Sequence, residues 1–175
     1  FDTALNTASA GAAVFTVTAG ISGFFTFMAA FNPQLSAERE FGEQLGRFLL
    51  QLPLGQSWLI TTIMGSVITV LAFAWRTWTP TLITAILAAA SFLPLATQGH
   101  SGELAGHNIA VNSILLHTIG AAVWLGGLLL VVILRDRSGV GTARLVSRYS
   151  SLAIAAFAVV AISGLARSIA VSYTH

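Results

Sequence analysis

Four histidines and two methionines are the side chains of this chain best suited to hold a soft or borderline metal ion. His100, His107 and His117 are separated by six and nine residues, and His175 is the last residue of the sequence. Imidazole suits copper, zinc, iron and nickel, and thioether suits Cu(I). Met28 and Met64 are the only methionines. There is no cysteine, so disulfides and thiolate metal sites are excluded within the chain. Of the six acids, only Glu103 lies near the histidines in sequence, whereas Mg²⁺ or Ca²⁺ would want more carboxylates. The histidine spacing matches no standard metal motif. What these residues can do therefore depends on where the chain places them.

Hydropathy sets that placement. Eight basic and six acidic residues make 8% of 175 residues, against about 25% in an ordinary soluble domain. The charges leave five uncharged windows, 3–37, 48–75, 77–102, 104–134 and 149–166. A hydrocarbon core of about 30 Å needs about 20 mostly apolar residues in a helix. The windows meet that requirement, the last when extended past Arg167. The apolar runs are continuous rather than alternating, which favours helices over barrel strands. This excludes a soluble globular enzyme, a disordered chain and a nucleic-acid-binding domain. The fold class expected is all-α, a polytopic transmembrane helix bundle forming a single membrane domain. Its five spans fall at about 9–31, 56–75, 78–97, 109–134 and 149–172. The chain begins at Phe1 without Met and reads as a piece of a longer protein.

A sixth segment, about 36–52, differs. Phe41, Leu45, Phe48, Leu49 and Leu52 share one helical face, while Glu38, Arg39, Glu40, Glu43 and Arg47 lie mainly elsewhere. It reads either as an amphipathic helix on the membrane surface or as a lid packed on the bundle. Arginine counts set the orientation. One side carries Arg76, Arg135, Arg137, Arg144 and Arg148, and the other only Arg39 and Arg47 together with three Glu. The excess puts loop 135–148 in the cytoplasm and loop 98–108 outside. Arg167 then lies near the outer interface, where its side chain can snorkel.

With that orientation, all four histidines lie on or near the outer side. His117 is expected about 12 Å inside the fourth span, Met64 at a similar depth in the second, and Met28 about 5 Å deep in the first. An imidazole inside a bilayer is costly and usually has a partner. The alternatives are a solvated loop residue for His100, a hydrogen bond across the bundle for His117, and simple packing for Met28 and Met64. A bis-histidine haem needs two axial histidines at matched depth. No Asp or Glu lies inside the spans, which counts against a proton or ion pump. His117, Ala121, Trp124 and Leu128 form one stripe, bordered by Gly120 and Gly127, where another helix can approach. Gly126 adds to the small residues there. Trp124 would either close an outer-facing pocket under His117 or pack in a tight interface.

The stretch Gly99-His100-Ser101-Gly102, Ala105-Gly106-His107-Asn108 and Leu116-His117 through Trp124-Leu125-Gly126-Gly127 resembles the copper resistance protein D (CopD) family of bacterial membrane proteins. It is most similar to the versions fused to a cytochrome c oxidase assembly (CtaG-type) domain. The carrying motif is an intramembrane His, small residues, then Trp-Leu-Gly-Gly. Ser147-Arg148-Tyr149-Ser150 and Ser163-Gly164-Leu165 also fit. The resemblance covers roughly 90–170, and residues 1–89 match only in hydropathy. Family members usually have more spans, which this chain does not supply.

The resemblance implies copper handling in the bacterial plasma membrane, by uptake or delivery at the extracytoplasmic face and without enzymatic activity. It implies His100, His107 and His117 as ligands to copper. Partners would then be the lipid bilayer, copper, and an extracytoplasmic copper chaperone or oxidase assembly components. Two other functions compete. One is a structural or assembly subunit of a respiratory oxidase, and the other is a b-type haem protein.

Overall fold

The computed structural model describes residues 2–33, 39–96, 107–134 and 142–172, and the side chains at 107–111, 142, 166, 167 and 169–172 lie outside that description. Every regular element among the described residues is a helix. In chain order they are α1 (Asp2–Phe31), α2 (Arg39–Gln51), α3 (Pro53–Ala74), α4 (Trp78–Ala90), α5 (Leu93–Ala96), α6 (His107–Leu134) and α7 (Thr142–Ser172). Five segments among them are long and apolar enough to cross a membrane, with α4 and α5 together making one. The chain is therefore a multi-pass, all-α membrane protein.

Contacts divide the chain into two compact units, one of Leu5–Gln98, which holds α2 to α5 and α1 from Leu5 onward, and one built on α6 and α7. In the first, α1 and α3 run antiparallel through small and hydroxyl residues. A Cβ on Gly23 would lie 3.0 Å from Trp58, and one on Gly65 would lie 2.7 Å from Thr16 Oγ1. Thr16 and Thr69 share a hydroxyl hydrogen bond of 3.1 Å. Ser9 Oγ lies 2.8 Å from Leu5 O and 2.9 Å from Ala72 O, so it can donate to either carbonyl. Arg76 donates to Asn6 Oδ1 at 2.7 Å. Close approach through small side chains is how helices gain van der Waals contact where lipid removes the hydrophobic driving force.

Helix α2 has the packing that the lid reading of segment 36–52 expects. Its apolar face is packed on the end of α1. Phe48 is fully buried. Its ring centroid lies 5.6 Å from that of Phe27 and 6.1 Å from that of Phe31, while Phe41 meets Phe27 edge-on at 5.6 Å. The charged residues stay outward, with Arg39 and Glu43 paired at 2.7 Å. Pro53 then opens α3, and Leu52 is extended, as a residue before proline prefers. Gly55 is required at this elbow, because a Cβ there would overlap the carbonyl oxygen of Phe48.

Several boundaries differ from the hydropathic expectation. Helix α1 begins at Asp2 rather than Ser9, and an acid in the first turn suits the positive end of the helix dipole. Helix α7 begins at Thr142 rather than Tyr149, so Arg144 and Arg148 ride on its first turns instead of in a loop. Arginine is a good helix former, and a helix has no reason to stop where the hydrocarbon does. The third span is not continuous. It breaks at Ser91-Phe92, ahead of Pro94, which has no N–H to give the carbonyl of Ala90. Asn32 ends α1 with φ 43°, a left-handed conformation that asparagine tolerates better than most residues.

Candidate functional site

The α6–α7 hairpin carries the best-defined polar geometry on an intramembrane side chain. Two glycines of α6 let α7 approach. A Cβ on Gly120 would lie 2.9 Å from Val160 Cγ2, and one on Gly127 would lie 2.8 Å from the Tyr149 ring. The Tyr149 hydroxyl donates to Trp124 O at 2.9 Å. Trp124 meets Phe157 edge-on at 5.8 Å, so its ring packs against α7. Gly126 faces open space, with nothing within 4 Å of a Cβ placed there.

One turn beyond Gly120 on this interface is His117. Its Nδ1 lies 3.1 Å from the carbonyl oxygen of Val160 and 3.5 Å from Ser163 Oγ. The Ser163 hydroxyl donates its single proton along the helix, to Val159 O at 2.6 Å, and lies 3.1 Å from Val160 O. Both neighbours of Nδ1 thus offer lone pairs. A carbonyl can only accept, so Nδ1 must carry the proton. In the neutral imidazole this assignment leaves the lone pair on Nε2. A Cβ on Gly164 would stand in ordinary contact with the ring, 3.7 Å from Nδ1. More than a third of the His117 side chain remains exposed, so the ring is held on one edge and open elsewhere.

This is the arrangement found at metal-ligating histidines, in which one ring nitrogen donates to a carbonyl or carboxylate and the other binds the metal. His117 shows the hydrogen-bonded half of that arrangement. Among the described residues, no three His, Cys, Asp or Glu gather at a point. His100, Glu103 and His175 lie outside the described residues, as does loop 98–106. His107 opens α6, ten residues before His117 on the same continuous helix. That separation is about 15 Å along the axis, too far for one ion to touch both. The side chain of Arg167 lies outside the description, although its backbone belongs to α7.

The methionines belong to the other unit. Met64 lines a small apolar cavity with Ile63, Val67, Ile68 and Leu87. Met28 lies in the last turn of α1, where its carbonyl accepts from Asn32 N–H at 2.9 Å. The pairing of Gly23 with Trp58 and of Gly20 with Thr62 fixes the α1–α3 register. By that register Met28 is level with the start of α3, and Met64 is about 15 Å further along. Met28 and Met64 therefore cannot share an ion.

Reasoning from residue types did not find the partners of His117. Ser163 and Gly164 appeared only as part of the family resemblance. Val160 contributes a main-chain atom, which no side-chain pattern announces. No protein-family model matches the chain, and no curated protein or solved structure is significantly similar to it.

Proposed function

We propose that the chain is a copper-binding protein of the bacterial plasma membrane, with His117 Nε2 as its deep ligand. The observation that carries this reading is the Nδ1–H of His117 held by Val160 O, which turns the lone pair of the ring to Nε2. Without that bond the proton could sit on either nitrogen, and ligation would first require a tautomer change. Copper suits imidazole, and the shortage of carboxylates disfavours a hard cation. His100 and His107 act separately from His117, as capture ligands at the extracytoplasmic end. Delivery or uptake at that face is what the resemblance to the CopD family implies, and the arginine bias supports loop 135–148 as the cytoplasmic one. Extracytoplasmic copper chaperones or oxidase assembly components are the partners that such a site would serve.

The test is the metal content of the intact protein purified in detergent. About one copper per chain is expected, with loss of the intramembrane copper in His117→Ala. Purified protein free of copper, unchanged by copper loading, would overturn the proposal. A Soret band in the same sample would assign the imidazole to haem instead.

A further inference from the structure

The start of α7 carries a polar stripe that owes nothing to the histidines. Arg144, Ser147, Arg148 and Ser151 fall at i, i+3, i+4 and i+7, which puts them on one face of its first turns. All four are exposed. The face of α7 that meets α6 lies nearly opposite, marked by Tyr149 against Gly127 and by Val160 against Gly120. The stripe therefore points away from the hairpin partner.

Neither arginine has an acid to pair with. No Asp or Glu occurs in α6 or α7. Among the described residues the one ion pair is Arg39–Glu43 on α2, and Arg76 donates to Asn6. The hydroxyls of the stripe are equally uncommitted. Ser150, off the stripe, donates back to Val146 O at 2.9 Å, whereas Ser147 and Ser151 have no hydrogen-bond partner among the described residues. Cations in the first turns also oppose the positive end of the helix dipole, and the first turn holds no acid to offset them. Two guanidinium groups and two hydroxyls on one face are all donors, and their complement is an anion with several oxygens.

The length of α7 says where that anion is. Its 31 residues make about 46 Å, and a bilayer with its headgroup layers measures about 40–45 Å. The apolar span within it runs Ala143–Leu165, so Arg144 and Arg148 stand at the rim and reach the headgroup layer by snorkelling. We infer that this stripe binds the phosphate of an anionic phospholipid. The guanidinium forks take phosphate oxygens in pairs, and the serine hydroxyls donate to the oxygens that remain. A zwitterionic headgroup fits less well, because it brings its own ammonium against the arginines.

The experiment is native mass spectrometry of the full chain in detergent, titrated with phosphatidylglycerol or with phosphatidylcholine of the same acyl chains. The wild type should bind phosphatidylglycerol at least about tenfold more tightly, and that preference should fall about fivefold in Arg144→Gln and again in Arg148→Gln. Arg144→Lys/Arg148→Lys should keep most of it, because both charges stay. Ser147→Ala/Ser151→Ala should lose about threefold. Arg47→Gln, on a helix that also carries Glu40 and Glu43, should leave it unchanged. Absence of a preference in the wild type would overturn the inference whatever the variants do. So would a preference that survives Arg144→Gln/Arg148→Gln. Loss of the bound lipid to millimolar inorganic phosphate would make the ligand a soluble anion and also overturn it.

Discussion

His117 on α6 and Val160 on α7 are joined by a hydrogen bond of 3.1 Å from the imidazole Nδ1–H to a main-chain carbonyl. The bond crosses the hairpin within the span and is made to an atom that mutation cannot remove. It orients the ring and selects its tautomer together. A histidine held this way presents Nε2 outward as a base or ligand without further rearrangement.

The nitrogen that binds copper is therefore predictable. Pulsed EPR of the Cu(II)-loaded protein, with histidine labelled at single ring nitrogens, should show Nε2 of His117 coordinated and Nδ1 remote. Coordination through Nδ1 would contradict the bond to Val160.

Gly164 should be sensitive to size rather than to any side chain at all. A Cβ there meets Nδ1 at 3.7 Å, an ordinary contact, so Gly164→Ala should bind copper nearly as well as the wild type. Gly164→Leu places further carbons where the ring lies and should weaken copper binding at least tenfold. Circular dichroism should show the helical content unchanged, which separates a displaced ring from a lost fold.

The α2 lid depends on one close approach. Gly55→Ala drives a methyl into Phe48 O, against backbone that cannot yield locally. A loss of about 3 kcal/mol or more is expected from such overpacking. Phe48→Ala empties the centre of the aromatic cluster and should cost about 3–5 kcal/mol. Detergent-solubilised thermal unfolding, read by tryptophan fluorescence, checks both. Limited proteolysis in segment 34–51 should quicken in each variant, because the same lid is released.

Tyr149 and Gly127 should behave as one unit. Tyr149→Phe removes the hydrogen bond to Trp124 O and should cost about 1 kcal/mol. Gly127→Ala pushes the Tyr149 ring, which lies 2.8 Å from the new methyl, and should break the same bond. The double variant should therefore lose less than the two single losses added together. Additive losses would show that Gly127 matters for something other than the seating of Tyr149.

The multi-pass helical architecture could be read from the chain before folding, because it follows from where charge is missing. An uncharged apolar run of sufficient length has one stable state in a bilayer, and the residue types suffice to identify it. The break ahead of Pro94 was present in the sequence too, but hydropathy averages over a single proline. Other features needed the fold. Segment 36–52 has one apolar face, and an apolar face is satisfied equally by lipid or by protein. Only Phe27 and Phe31 on α1 decide for protein. Histidine type and depth pointed to metal chemistry. The choice of tautomer depended on Val160 O, a backbone atom 43 residues away with no signature of its own. Residue chemistry acts along the chain, whereas a hydrogen bond across two helices depends on a packing distance that Gly120 permits and no local pattern encodes.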